Sequence, residues 1–183
     1  MGVQPKPRMT VDAFLAWAAG RDGKYELIDG EVVAMSPERV RHAETKAAVF
    51  DALRAAIRDG RRPCRALIDG VAVRVDAQTS YVPDVLVYCG ERADLDAMEV
   101  TPVIVVEVVS PSSRSIDTNR KLTGYFRVPS VMHYLVVDPG APLVIHHSRD
   151  GAGGIAARIL STGTLDLTPP GLTIAVADLF GQP

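Results

Sequence analysis

The sequence predicts an α/β fold with a mixed central β-sheet flanked by α-helices. Three observations carry that prediction. Residues 40–59 place Ala43, Ala47, Phe50, Leu53 and Ile57 at steps of three and four, the spacing of one helix face. Residues 103–109, Val-Ile-Val-Val-Glu-Val-Val, are apolar on both faces, as a strand inside a sheet requires. Helical and strand signals alternate along the chain, which sets helices against a sheet rather than in a separate bundle.

The elements follow in order. Residues 1–8 read as a loose tail, and 9–183 as one domain, because 183 residues support one core of ordinary size. Thr10 is placed to cap a helix over 11–19, which Gly20 ends. Asp29-Gly30 lies between two β-prone runs and predicts a hairpin. Asp59-Gly60 closes the 40–59 helix. Leu67-Ile-Asp-Gly repeats Leu27-Ile-Asp-Gly at an interval of 40, which reads as the same turn chemistry used twice. Residues 81–88 form a strand in which Pro83 puts Asp84 at an edge or near the strand's start. Ser110-Pro111 closes the 103–109 strand. A helix over 113–127 follows, then strands at 131–137 and 143–147. Short strands broken by Pro169-Pro170-Gly171 finish the chain.

Composition removes several classes. Apolar residues are 47% and charged residues 23%, so general disorder is excluded. A net charge of −2 excludes nucleic-acid binding by bulk positive charge, though not a local basic groove. The apolar run 13–19 is too short to span a membrane, and the start carries no apolar signal segment. Cys64 and Cys89 form no CxxC pair and read as small core hydrophobes in a reducing cytoplasm. No GxSxG or SxxK motif supports a serine hydrolase. His146 and His147 are adjacent in a strand, face opposite sides, and cannot form a paired ligand site.

The informative residue is Glu107, the one ionisable group in its apolar strand. A carboxylate taken out of water is protonated, paired or bound to a cation. Asp84, at the start of another apolar strand, is the second acid. If the two strands are neighbours, both carboxylates reach one end of the sheet and repel unless a cation lies between them. Oxygen ligands of this kind favour Mg²⁺ or Mn²⁺ over zinc. Lys121, 14 residues after Glu107, falls on the following helix, which turns back across the sheet. Arg54, Arg58, Arg61, Arg62 and Arg65 form a basic cluster that a phosphate backbone could use as a rim.

These residues resemble the Uma2 (Uma-two) family, also known as DUF820. The match runs through Tyr25-Glu-Leu-Ile-Asp-Gly-Glu, Met35-Ser-Pro, His42 and Pro83-Asp84-Val85. It continues through Glu107-Val-Val-Ser-Pro-Ser-Ser-Arg114, Asp117, Lys121, Tyr125 and His133-Tyr-Leu-Val-Val-Asp-Pro139. The resemblance covers roughly residues 10–180. It implies a restriction-endonuclease-like core of the PD-(D/E)XK superfamily and a metal-dependent endonuclease acting on nucleic acid, DNA before RNA. Asp84, Glu107 and the Val108 carbonyl would hold Mg²⁺, with Mn²⁺ as substitute. The usual Glu-x-Lys reads here Glu107-Val108-Val109, so Lys121 would act from the next helix. Glu26, preferred over Glu31 and Glu44, would supply a further acid. His42 would contact phosphate or order a water. A homodimer would follow if both strands of a duplex are cut. The alternative is an inactive nucleic-acid-binding or regulatory module of the same fold, and the convergence of Asp84, Glu107 and Lys121 discriminates the two. A third class, a protein-interaction module, would show a large exposed apolar patch and no acidic cleft.

Overall fold

The computed structural model describes residues 8–109 and 116–181. The expected tail, apart from Arg8, lies outside the described residues. So do the Ser110-Pro111 closure, Arg114 and the Asp117 side chain. Thr10 caps α1 (Val11–Ala18) by accepting from the Ala13 N–H at 3.3 Å. The hairpin β1 (Tyr25–Ile28) and β2 (Glu31–Ala34) turns at Asp29 and Gly30, φ 50° and 80°, the left-handed pair a tight hairpin needs. Asp69 and Gly70 take the same left-handed pair, φ 58° and 82°, but there the chain bends without forming a hairpin, so the repeated Leu-Ile-Asp-Gly shares backbone conformation and not the turn.

α2 (Val40–Asp59) runs to β3 (Cys64–Ile68), β4 (Val73–Arg74), β5 (Ser80–Tyr81), β6 (Val85–Cys89) and β7 (Ile104–Val108). α3 (Ile116–Tyr125) leads to β8 (His133–Asp138), β9 (Leu143–Arg149) and β10 (Ile155–Leu160). β11 (Thr164–Leu167), β12 (Leu172–Ala175) and a 3₁₀ helix, Val176–Phe180, complete the order. The main sheet is β10-β9-β8-β7-β6-β3, and a smaller one is β2-β1-β5-β4. Only β7 and β8 pair in parallel among the described strands. That pairing needs a crossover, and the chain between the two strands carries α3. β7 and β8 are buried along their whole length, which is why both read as nearly unbroken apolar runs.

The two faces of the main sheet are filled differently. Val49, Leu53 and Ile57 of α2 pack with β11, β12 and the 3₁₀ helix against Val85, Val87, Val106 and Leu135. Tyr125 and Phe126 pack on the other face against Leu86, Val105 and Tyr134. No helix among the described residues is long and apolar enough to cross a membrane.

Two expectations are corrected. Ala43 and Ala47 of α2 are exposed; the buried stripe is Thr45, Lys46, Val49, Leu53 and Ile57. The stripe turns at its N-terminal end because a buried lysine, not an alanine, meets the acids there. Cys64 and Cys89 are not free core thiols. They are direct cross-strand partners on β3 and β6, Cα atoms 3.9 Å apart, and are joined as a disulfide.

Candidate active site

The site lies where β6 begins, β7 ends and α2 starts. Glu107 is 9% exposed, on the β7 face that carries Val105 and Val109. Its Oε1 accepts from Lys121 Nζ at 3.0 Å and from the Tyr125 hydroxyl at 2.6 Å. Lys121 and Tyr125 are four residues apart on α3 and therefore share a face. Lys121 Nζ is also 2.9 Å from Glu26 Oε1, which accepts from the Val82 N–H at 2.9 Å. Glu26 is buried, so the small sheet contributes an acid to the site. Glu31 and Glu44 are exposed.

Asp84 stands one step beyond the last β6–β7 pair, Val85↔Val106, and that register sets it opposite Glu107. Its Oδ2 accepts from the Val108 N–H at 2.7 Å. Its Oδ1 is 3.2 Å from His42 Nε2 and 3.7 Å from Lys46 Nζ. His42, in the first turn of α2, also lies 3.3 Å from Glu38 Oε2. Lys46 follows one turn later and donates to Glu38 Oε1 at 2.6 Å and Asp69 Oδ2 at 2.9 Å. Asp69 in turn holds Lys24.

Electrostatics follow from this crowding. Burial pushes the Glu107 carboxyl well above the ordinary carboxylate range; Lys121 opposes the rise, while Asp84 and Glu26 add to it. The bond to Asp84 raises the His42 pKa against the effect of burial. Burial works against the Lys46 ammonium, but its bonds to Glu38 and Asp69 and the charge of Asp84 keep its pKa raised. Burial also raises the Tyr125 phenol, and Glu107 raises it further, so it remains a donor.

One cavity of about 810 Å³ gathers these groups: Glu26, His42, Asp84, Glu107, Val108 and Lys121 all line it. All five expected side chains thus meet, together with the Val108 backbone. Glu38, His42 and Asp84 offer ligand atoms within 4.8 Å of one another, a donor group different from the expected Asp84, Glu107 and Val108 set. Asp84 is common to both groups, and Glu107 Oε1 accepts from Lys121 and Tyr125.

Sequence reasoning missed Glu38, Lys46 and Asp69. Lys46 carried a legible signal, four residues after His42 and hence on its face of α2. Asp69 carried another, in the repeated turn. The basic rim is misplaced. Arg54 and Arg58 lie about 18 and 24 Å along α2 from His42, and Arg65 pairs with Tyr88 near the opposite end of β6. Arg58 bonds to Asp59 and Arg62 to the Gly171 carbonyl, so neither reaches the cavity.

A mixed sheet covered by α2 on one face and α3 on the other, with acids at the ends of its central strands and a lysine facing them from α3, defines a restriction-endonuclease-like α/β fold. The crystal structure of a "putative nuclease belonging to DUF820" from Anabaena variabilis ATCC 29413 shares that fold. Its TM-score is 0.71 at 17% identity, over 94% of this chain and 97% of that one. The chain belongs to the Uma2 family, whose model, described as "Putative restriction endonuclease", matches residues 11–177. It is also 26% identical over 179 residues to "Uncharacterized protein slr1290" of Synechocystis sp. (strain ATCC 27184 / PCC 6803 / Kazusa). That alignment covers 96% of this chain and 93% of its relative. Family membership supports a nuclease-like, hydrolytic role.

Proposed function

We propose that the chain is a divalent-cation-dependent endonuclease that hydrolyses nucleic-acid phosphodiesters, with DNA as its first candidate substrate. One observation carries the reading: Asp84 just before β6, Glu107 on β7 and Lys121 on α3 line one cavity. A binding module would have no need of that convergence, so the catalytic reading is favoured over the inactive one.

The donor chemistry fits Mg²⁺ or Mn²⁺. Buried carboxylates crowded enough to raise the Glu107 pKa gain from a cation among them. Asp84 would be shared by either donor group, with Glu107 and the Val108 carbonyl on one side and Glu38 and His42 on the other. When bound, the ion supplies Lewis acidity toward a phosphoryl oxygen and lowers the pKa of water. The chain's own residues do the rest. Lys121 brings positive charge to the attacked phosphate, taking the place of the lysine missing at Val109. Glu26 and Glu107 fix its ammonium from two sides. Tyr125 holds Glu107 in place. His42, its pKa raised by Asp84, orients that carboxylate.

Cleavage of plasmid and single-stranded substrates with Mg²⁺, Mn²⁺ or EDTA tests the reading. Lys121→Ala strands two buried acids and should lose stability; where circular dichroism shows it folded, it should bind Mn²⁺ in calorimetry and lose about a hundredfold in rate. Glu107→Gln should weaken Mn²⁺ binding as well. Wild-type protein inert with both metals, or Lys121→Ala at the wild-type rate, would remove the mechanism.

A further inference from the structure

The walls of the cavity differ in a way that the reacting groups do not explain. Its floor is polar and deep: Glu26, Asp84, Glu107 and Lys121 are all buried. Its outer wall, β2 with residues 35–40, presents Val33, Met35, Pro37 and Val40 to the same space. Val33 is 42% exposed and Val40 73%. Val33 and Val40 thus leave apolar surface open beside a charged floor, where an apolar face of a ligand can be buried.

Charge narrows what the contact is. Five lysines and arginines line the cavity, against five acids. Lys24, Lys46 and Lys121 are each ion-paired to one or more of those acids. Arg39 and Arg41, at the start of α2, are exposed and form no ion pair among the described residues. A duplex presents two phosphate backbones and hides its bases in the stack. Binding it needs a broad set of cations, and the Arg54, Arg58 and Arg62 cluster that might serve stands at the other end of α2. An unpaired nucleotide presents one phosphate run and an open apolar base face, which apolar side chains can cover.

Resting on the nuclease reading above, we propose that this cavity takes an unpaired nucleotide, its base against the Val33, Met35, Pro37 and Val40 wall and its phosphate over the acid–lysine floor. The substrate is single-stranded nucleic acid or an unpaired segment, held at about two phosphates by Arg39 and Arg41. One strand needs one cut, so a single copy of the chain suffices.

Fluorescein-labelled 20-nucleotide single-stranded DNA, RNA of the same sequence and the matching DNA duplex would be titrated by anisotropy in EDTA and in Ca²⁺. The same three would be digested with Mn²⁺. Single strands should bind and be cut at least tenfold better than the duplex. The slope of log K against log salt should be near −1.4, about −0.7 for each of two phosphates. Val33→Ser with Val40→Ser changes exposed positions, so the fold should survive by circular dichroism. It should weaken single-strand binding about tenfold, as should an abasic site in the oligonucleotide. Equal use of duplex and single strand, or indifference to the abasic site, overturns the proposal and leaves the nuclease reading standing. Absence of cleavage defeats the nuclease reading, and the anisotropy preference still decides the occupant. A dimer dissolved by the double variant without loss of oligonucleotide binding would assign the wall to a second copy and overturn the proposal.

Discussion

Lys46 shows how far a residue's neighbours outweigh its type. On the sequence it is a lysine on an amphipathic helix, with a solvated face as the natural expectation and near-silent replacement by alanine as the consequence. In the structure it is buried and held by Glu38 and Asp69, with Asp84 at 3.7 Å. Removing one partner of a buried charge cluster strands the others. Glu38 and Asp69 keep about a quarter to a third of their side chains in water, which tempers the loss. Lys46→Met should therefore cost about 2 kcal/mol in urea unfolding. A variant as stable as wild type would show that the cluster is solvated. Glu107 makes the complementary case: its raised pKa should fall when Mg²⁺ binds, a shift that carboxyl NMR titration reads directly.

At the scale of elements, α3 approaches β5 more closely than a side chain would allow. A Cβ on Gly124 would lie 2.5 Å from Tyr81 Cε2 and 2.9 Å from its hydroxyl. Tyr81 is buried and packed edge-on to Tyr125, 5.3 Å between ring centres, so it cannot swing aside freely. Glycine to alanine inside a helix ordinarily gains up to about 1 kcal/mol. Here overpacking should reverse the sign, costing about 1–3 kcal/mol. The Lys121 ammonium lies over the same Tyr81 ring at 5.7 Å, so Gly124→Ala should also lower the cleavage rate. A stabilised variant would mean that α3 can slide away from β5. Between β3 and β6, the Cys64–Cys89 bond closes a loop of 25 residues. Reduction should cost about 3 kcal/mol on the chain-entropy argument. Mass spectrometry after alkylation, with and without reductant, checks whether the bond is present.

Across the whole molecule, acid stability is a contest between two buried polar clusters. His133 Nε2 lies 2.9 Å from the Pro169 carbonyl and must donate to it, so its Nδ1 accepts from His146 Nε2, also at 2.9 Å. His146 Nδ1 is then a buried nitrogen with no hydrogen-bond partner. Burial drives the His146 pKa from 6.5 down to about 4, helped by its histidine neighbour. Between those values the unfolded chain binds more protons, so this pair's contribution to stability falls as pH drops through that window. Glu107 works in the opposite sense: its raised pKa means the folded state holds an extra proton, and its contribution is lost as pH rises. The histidine part is isolated by comparison with His146→Gln, which keeps a donor and removes the titration. The stability advantage of wild type over this variant should shrink by about 2 kcal/mol between pH 7 and pH 4.5. A difference that stays constant with pH would contradict the buried-neutral pair.

What the sequence determined by itself was local or periodic. Thr10 caps, Asp29-Gly30 turns the hairpin, and residues 103–109 belong inside a sheet, because each follows from bonds or burial within a few residues. Glu107 was legible for the same reason, as a charge its strand could not leave unpaired, and the order of weak motifs added Asp84, Lys121, Glu26 and His42. Only the tertiary structure decided what those residues meet. Lys46 reaches Asp69 and Asp84, and Cys64 faces Cys89, because α2, β3 and β6 stack side by side. The same stacking sends the arginines at the end of α2 away from the cavity. These partners stand 23, 38 and 25 positions apart in the chain, and at such separations neither propensity nor periodicity says which face of one element will close against another.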